Sequence, residues 1–236
     1  RLLMKLSPKY LPPEKLVFFE ETGGVGIEFS QLPFDHLIFT GSGATGKAVM
    51  ASAAKNLTPV TLELGGKSPA VIAPDFPLKA AVERIMFAKI FNAGQVCVNV
   101  DYLFISKDRV DEFVSAAKAW VSEHCPDINS PDYTSIIDDR SFARLEAALN
   151  DARDKGATLI NLTEGQSANR ETRKLPPHLI LNPTQDMDVI QREIFGPLMP
   201  VLTYESKEEV CAYINDRDRP LAFYPFTHDK QLQSFY

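Results

Sequence analysis

Cysteine is scarce in this chain. The three present, Cys97, Cys125 and Cys211, are widely separated and odd in number, which excludes a disulfide framework and fits a reducing compartment. The four histidines, His36, His124, His178 and His228, make no pair at metal-ligand spacing with those cysteines, so no metal site is expected. Basic charge has no excess either. With 25 Lys and Arg against 31 Asp and Glu, the formal net charge is −6, and no basic cluster offsets it, which argues against a nucleic-acid partner. Long apolar runs are missing: none approaches the ~18 residues of a membrane span. The opening RLLMKLSPKYLPPEK passes from a short apolar patch into prolines rather than into the core of a signal peptide. The expectation is a cytoplasmic protein whose partners are small molecules, not membranes or nucleic acids.

What remains is a globular composition, 44% hydrophobic and 24% charged over 236 residues, with ample material for a buried core. Strand-like and helix-like segments alternate, which predicts an α/β architecture with mostly parallel sheets. Residues 36–40 (HLIFT), 59–64 (PVTLEL) and 69–73 (PAVIA) read as strands, with an alanine-rich helix after the first. A helix opens at Pro77 and stops near Gly94. Strand 102–106, helices over 108–124 and 139–156, and strands 157–161 and 178–182 follow. The polar stretch 162–174, LTEGQSANRETRK, reads as a mobile surface loop. Residues 196–204, 207–216 and 221–227 read as strand, helix and strand.

The stretch FTGSGATGKAVM (39–50) fits several phosphate-binding patterns. Gly41, Gly43 and Gly46 spell G-x-G-x-x-G, while Gly41, Gly46 and Lys47 spell most of a P-loop that lacks its Ser or Thr, since Ala48 follows. A strand running through a glycine turn into a helix points free amides and the positive end of the helix dipole at an anion. It can also be a plain tight turn. Glu63 falls near the spacing of a ribose ligand, yet it can equally cap a turn, pair with a base or serve in chemistry. Cys97, in FNAGQVCVN, is either a small buried hydrophobe or, because Gly94 and Gln95 break the helix before it, an exposed nucleophile. Cys125 and Cys211 read as structural. Glu193 reads as a solvated carboxylate before a turn, and Phe195 as core.

In combination these segments are more specific than any one of them. FTGS with Gly46, LELGGKSP (62–69), GQVC (94–97) and EIFGP (193–197) occur in an order that resembles the aldehyde dehydrogenase superfamily. LPFDHLIFTGS (32–42) and RPLAFYPFTHDK (219–230) look most like its coniferyl aldehyde dehydrogenase branch. The resemblance implies an aldehyde dehydrogenase-like fold in which residues 1–65 are the C-terminal part of a Rossmann-type NAD(P)-binding domain and 66–236 a catalytic domain incomplete at its C-terminus. It implies oxidation of an aldehyde with NAD or NADP, the substrate being an aromatic aldehyde such as coniferyl aldehyde.

By the same resemblance Cys97 is the nucleophile, its amide one oxyanion donor, and Glu63 the general base. Ser42 contacts the cofactor pyrophosphate, Gly41 and Gly46 shape the turn, Glu193 bonds the nicotinamide ribose and Phe195 packs near the nicotinamide ring. Gly43 and Lys47 then need no role. The family's chains are about twice this length. They carry an upstream asparagine motif and lysine motif that do not occur here, and they form dimers or tetramers. The 236-residue chain alone is therefore expected to be weakly active or inactive, with exposed apolar surface and open sheet edges. The alternatives are an ordinary Rossmann-type reductase, with Glu63 on the ribose and Cys97 structural, or a non-catalytic nucleotide-binding domain.

Overall fold

The structure is a computed structural model that describes residues 1–20 and 23–236. Two compact units make up the chain, Arg1–Leu64 and Gly65–Tyr236.

The first unit contains two short helices, α1 (Leu2–Leu6) and α2 (Val25–Phe29), and then a β-α-β unit: β1 (Leu37–Gly41), α3 (Gly43–Ala54) and β2 (Val60–Leu64). The strands are parallel, in register from Leu37 opposite Val60 to Gly41 opposite Leu64. Helix α3 is the crossover that parallel pairing requires. Thr58 Oγ1 donates to Phe34 O at 3.0 Å, fastening the return into β2. Few described residues are buried here: Ser30, Leu37, Gly46, Ala53 and Thr58. Ile38 on β1 stays 69% exposed, the apolar exposure expected of a two-stranded piece of sheet.

The second unit is built on six strands: β3 (Pro69–Ile72), β4 (Tyr102–Ile105), β5 (Thr158–Asn161), β6 (His178–Leu181), β7 (Leu198–Thr203) and β8 (Tyr224–Phe226). Their order is β5-β6-β7-β4-β3-β8, parallel throughout except for the β5–β6 pair. All of β3 and β4 and most of β7 are buried, as expected of parallel strands covered on both faces. The helices are α4 (Leu78–Ile90), α5 (Val110–His124), α6 (Asp139–Asp154), α7 (Asp188–Gln191), α8 (Lys207–Asn215) and α9 (Lys230–Phe235). In α4 the buried set Leu78, Ala81, Val82, Ile85, Met86 and Lys89 follows the three-and-four spacing of one helical face. No described helix is long and apolar enough to cross a membrane.

Three expectations need correction. The helix opening at Pro77 ends at Ile90, because Phe91 leaves the helical region at ψ 124°; a 3-10 turn, Phe91–Gly94, completes the segment. The last strand is three residues long rather than seven. Ala222 is drawn out of line by donating its amide to Ser68 Oγ at 3.2 Å, and Pro225 is tolerated because β8 is an edge. Segment 162–174 lies on the surface as expected but is anchored at both ends and near its middle. Leu162, Thr163 and Lys174 are buried, Gln166 Oε1 accepts from the Ile128 amide at 2.8 Å, and Asn169 and Lys174 pair as an antiparallel bridge. Much of it still faces solvent, while Gln166 and Lys174 bond segments distant in the chain.

Candidate functional site

In the first unit the glycine turn has the shape an anion site needs. Ser42 is the N-cap of α3, extended at φ −70° and ψ 150°, and its Oγ accepts from the Thr45 amide at 3.3 Å. The amides of Gly43 and Ala44 begin the helix without intrahelical acceptors. Two glycines are closely packed: a Cβ on Gly46 would lie 2.8 Å from Leu64 Cδ2, and one on Gly41 2.6 Å from the Phe39 ring, so those side chains would have to move. Gly43 meets nothing within 4 Å and has no left-handed φ, so the full G-x-G-x-x-G match has no structural basis at its middle glycine. Beside the turn lies an apolar cleft of about 500 Å³ lined by Ile27, Phe29, Ile38, Thr45 and Val49 among others. Glu63, opposite Thr40 in the register, is an exposed residue of β2.

In the second unit Cys97 sits on a constrained loop. Asn92, Ala93 and Gly94 have φ of +52°, +50° and +73°, a left-handed run that L residues adopt only when held. Gln95 holds it from one side. Its Nε2 donates to Asn92 O and Ser135 O, both at 3.1 Å, and its Oε1 accepts from the Ile137 amide at 2.9 Å. Asn99 holds the other side, its Nδ2 donating to Gly94 O at 2.8 Å. The Cys97 thiol itself is exposed. Cys125 is buried and Cys211 half-buried, and burial pushes both thiols up.

Glu193 and Phe195 occupy a turn that packs on this loop. A Cβ on Gly94 would lie 2.2 Å from Gly196 O, so the two backbones touch where glycine leaves room. Phe195 has φ +46°, rare for a bulky residue, and its ring is 39% exposed. It is not the core residue that the isolated segment suggests. The Glu193 carboxylate is half-buried against the Gly65-Gly66 pair, where a Cβ on Gly65 would meet Oε1 at 2.1 Å. Burial raises its carboxyl above the usual range, as does the Asp101 charge. The Gly66 amide hydrogen bond, Lys67 and Arg144 oppose that rise. Arg144 Nη2 donates to Ile194 O at 2.7 Å.

A buried ion pair joins these pieces. Lys67 Nζ bonds Asp101 Oδ2 and donates to Val189 O at 2.8 Å and Arg192 O at 3.0 Å. Asp101 Oδ1 accepts from the Ile194 amide at 2.8 Å. Lys89 lies close by, fully enclosed, donating to Val100 O at 2.8 Å. Burial lowers its ammonium to about 7 from the ordinary 10.5, with Lys67 adding and Asp101 opposing. Between those two values the unfolded chain binds a proton that the folded chain does not, so stability rises with pH across that window. This one group contributes a slope of up to about 1.4 kcal/mol per pH unit. Lys89→Met is expected to remove that slope. Urea unfolding at pH 7, 8.5 and 10 measures it, and an unaltered slope in the variant contradicts the assignment.

Lys67, Lys89, Asp101 and Arg144 had no individual signal in the sequence, beyond the place of Lys67 inside LELGGKSP. An acid opening an apolar strand, as in VDYLFIS, is the one hint that Asp101 is buried with a partner. Next to the cysteine loop is a second cleft, about 730 Å³, lined by Phe87, Phe91, Val96, Val98, Asn99 and Tyr224 among others.

Residues 20–235 match the model of the aldehyde dehydrogenase family. A relative from Pseudomonas aeruginosa, described as a probable coniferyl aldehyde dehydrogenase, is 51% identical over 235 residues, covering 99% of this chain and 48% of its own. Among solved structures, a substrate-bound Staphylococcus aureus AldH superposes with a TM-score of 0.91 at 34% identity, over 100% of this chain and 50% of that one. A Mycobacterium tuberculosis aldehyde dehydrogenase complexed with NAD+ gives 0.79 at 30% identity, over 89% and 45%. The chain thus spans about half the length of the curated relatives it matches.

Proposed function

The chain belongs to the aldehyde dehydrogenase family, and from that premise we propose that its protein oxidises an aldehyde to a carboxylic acid with NAD or NADP as acceptor. Cys97 Sγ attacks the aldehyde carbon, and its own amide donates to the oxygen that gains charge. A nicotinamide dinucleotide, when bound, would supply the two-electron oxidation that takes the cysteine adduct to a thioester. Glu63 then takes a proton from water, which adds to the thioester carbonyl, and the thiol leaves with release of the acid. An ordinary Rossmann-type reductase does not survive the family match.

The observation that carries the reading is the Cys97 loop: an exposed thiol on a segment with three successive left-handed residues cross-tied by Gln95 and Asn99. Strain of that kind persists where the surrounding structure over-determines a geometry, and it gathers at reactive sites. The residues of the first unit fit a dinucleotide. The α3 N-terminus suits its pyrophosphate, with Gly41, Ser42 and Gly46 forming the turn, and the neighbouring apolar cleft has room for a flat base. Glu193 would hold the nicotinamide ribose and Phe195 face its ring. Residues 1–65 would be part of the cofactor domain and 66–236 part of the catalytic domain of a cytoplasmic homo-oligomer. The aromatic lining of the cleft beside the cysteine loop, Phe87, Phe91 and Tyr224, supports an aromatic aldehyde such as coniferyl aldehyde.

The test is differential alkylation of the full-length protein with iodoacetamide, read by peptide mass spectrometry, beside an assay of aldehyde-dependent NAD(P)H formation. Cys97 is expected to label at least about tenfold faster than Cys125 and Cys211, since its thiol is exposed whereas Cys125 is buried and Cys211 half-buried. Equal labelling of the three, with no aldehyde-dependent reduction, would refute both the nucleophile and the activity, and leave a non-catalytic nucleotide-binding domain.

A further inference from the structure

Three stretches far apart in the sequence converge on one buried carboxylate. Asp101, four positions after Cys97, has a side chain only 4% exposed, and that of its partner Lys67 is 14% exposed. Each of the three ammonium protons of Lys67 has an acceptor: Asp101 Oδ2, Val189 O and Arg192 O. The other oxygen of Asp101 takes the Ile194 amide, between Glu193 and Phe195, and the backbone amide of Asp101 donates to Ser68 O at 2.8 Å. A buried ion pair is a poor device for stability alone, because desolvation offsets much of its attraction. What it supplies is fixed direction, since the lysine and the carboxylate are bonded on several sides at once.

We propose that the Lys67–Asp101 pair is a positioning latch that couples the Cys97 loop to the Glu193–Phe195 turn, so that thiol reactivity and dinucleotide affinity are set together. The proposal rests on the reading of Cys97 as nucleophile and Glu193 as cofactor contact. The coupling has two physical links. Asp101 closes the segment that carries Cys97 and takes both Lys67 and the Ile194 amide with its one side chain, and Gly94 lies against the Gly196 carbonyl without room for a methyl group. Loss of the Asp101 contacts therefore frees both segments at once. Arg144 is a useful contrast, because its hydrogen bonds go to Ile194 O and Glu193 O on the turn.

Two quantities are measured in the full-length protein: the KM for the dinucleotide, and the rate of Cys97 alkylation by iodoacetamide. Asp101→Asn keeps the shape and removes the charge. It is expected to raise KM and slow alkylation, each by about tenfold, the scale of a sub-ångström misplacement. Arg144→Met is expected to raise KM with alkylation unchanged. Lys67→Arg keeps charge but cannot aim three N–H bonds from one nitrogen, and is expected to move both quantities at least about twofold in the same direction. If Asp101→Asn does not fold, Lys67→Arg decides. A variant with lowered melting temperature but both quantities within twofold of wild type overturns the latch. A wild-type protein without fast Cys97 alkylation overturns the underlying reading instead.

Discussion

Cys97→Ser is expected to lower aldehyde oxidation by at least about 10³-fold while leaving dinucleotide affinity and melting temperature close to wild type. The thiolate is the reactive form of cysteine, with an ordinary pKa near 8.5 and high intrinsic nucleophilicity, whereas a serine hydroxyl needs a strong base held against it. A thioester is also a better acyl donor to water than an ester, so both halves of the reaction suffer. Cys97 is exposed and contributes no buried packing, so the change should not unfold the loop. That separates loss of chemistry from loss of structure. Steady-state turnover and dinucleotide titration on one preparation decide it, and near-normal turnover would remove Cys97 from the mechanism.

Gly94→Ala is expected to damage the structure itself. Gly94 lies at φ +73° and a Cβ there would sit 2.2 Å from Gly196 O, 2.5 Å from Gly196 C and 2.8 Å from Asn99 Nδ2. The first two are backbone atoms of the turn that carries Glu193 and Phe195, so no side chain can rotate out of the way. The left-handed conformation alone disfavours alanine by about 1 kcal/mol, and the overlap adds several times that. A drop in melting temperature of at least about 5 °C is expected, with loss of most activity. Gly43→Ala is the comparator. With nothing within 4 Å and no left-handed φ, it should change stability by less than about 1 kcal/mol. Equal stability of the two variants would show that the cysteine loop and the turn are not in contact.

Much of the architecture was legible in the chain because it depends on local chemistry. Strands 36–40, 59–64 and 69–73 were found within a residue or two, since their apolar runs end at glycine or proline. The four motifs could be read because glycine at a turn and cysteine after a helix break are local features. The short helices were not legible: α7, only four residues long, depends on its surroundings rather than on any periodic face. Stretch 162–174 misled for the opposite reason. Its polar side chains read as a solvent surface, which most of the segment is, but Gln166 and Lys174 also bond Ile128, Pro126 and Ser130, partners more than thirty positions away.

The sequence by itself determined the α/β class and the family resemblance and put forward Cys97 and Glu63 as candidates, because motif residues point to chemistry through type and spacing. Only the tertiary structure decided how that chemistry is held. The left-handed run before Cys97, the exposed ring of Phe195, the raised Glu193 carboxyl against Gly65-Gly66, and the Lys67–Asp101 pair beneath them all arise from contacts between distant segments. No spacing along the chain encodes such contacts, since burial and ion pairing are properties of the packed interior.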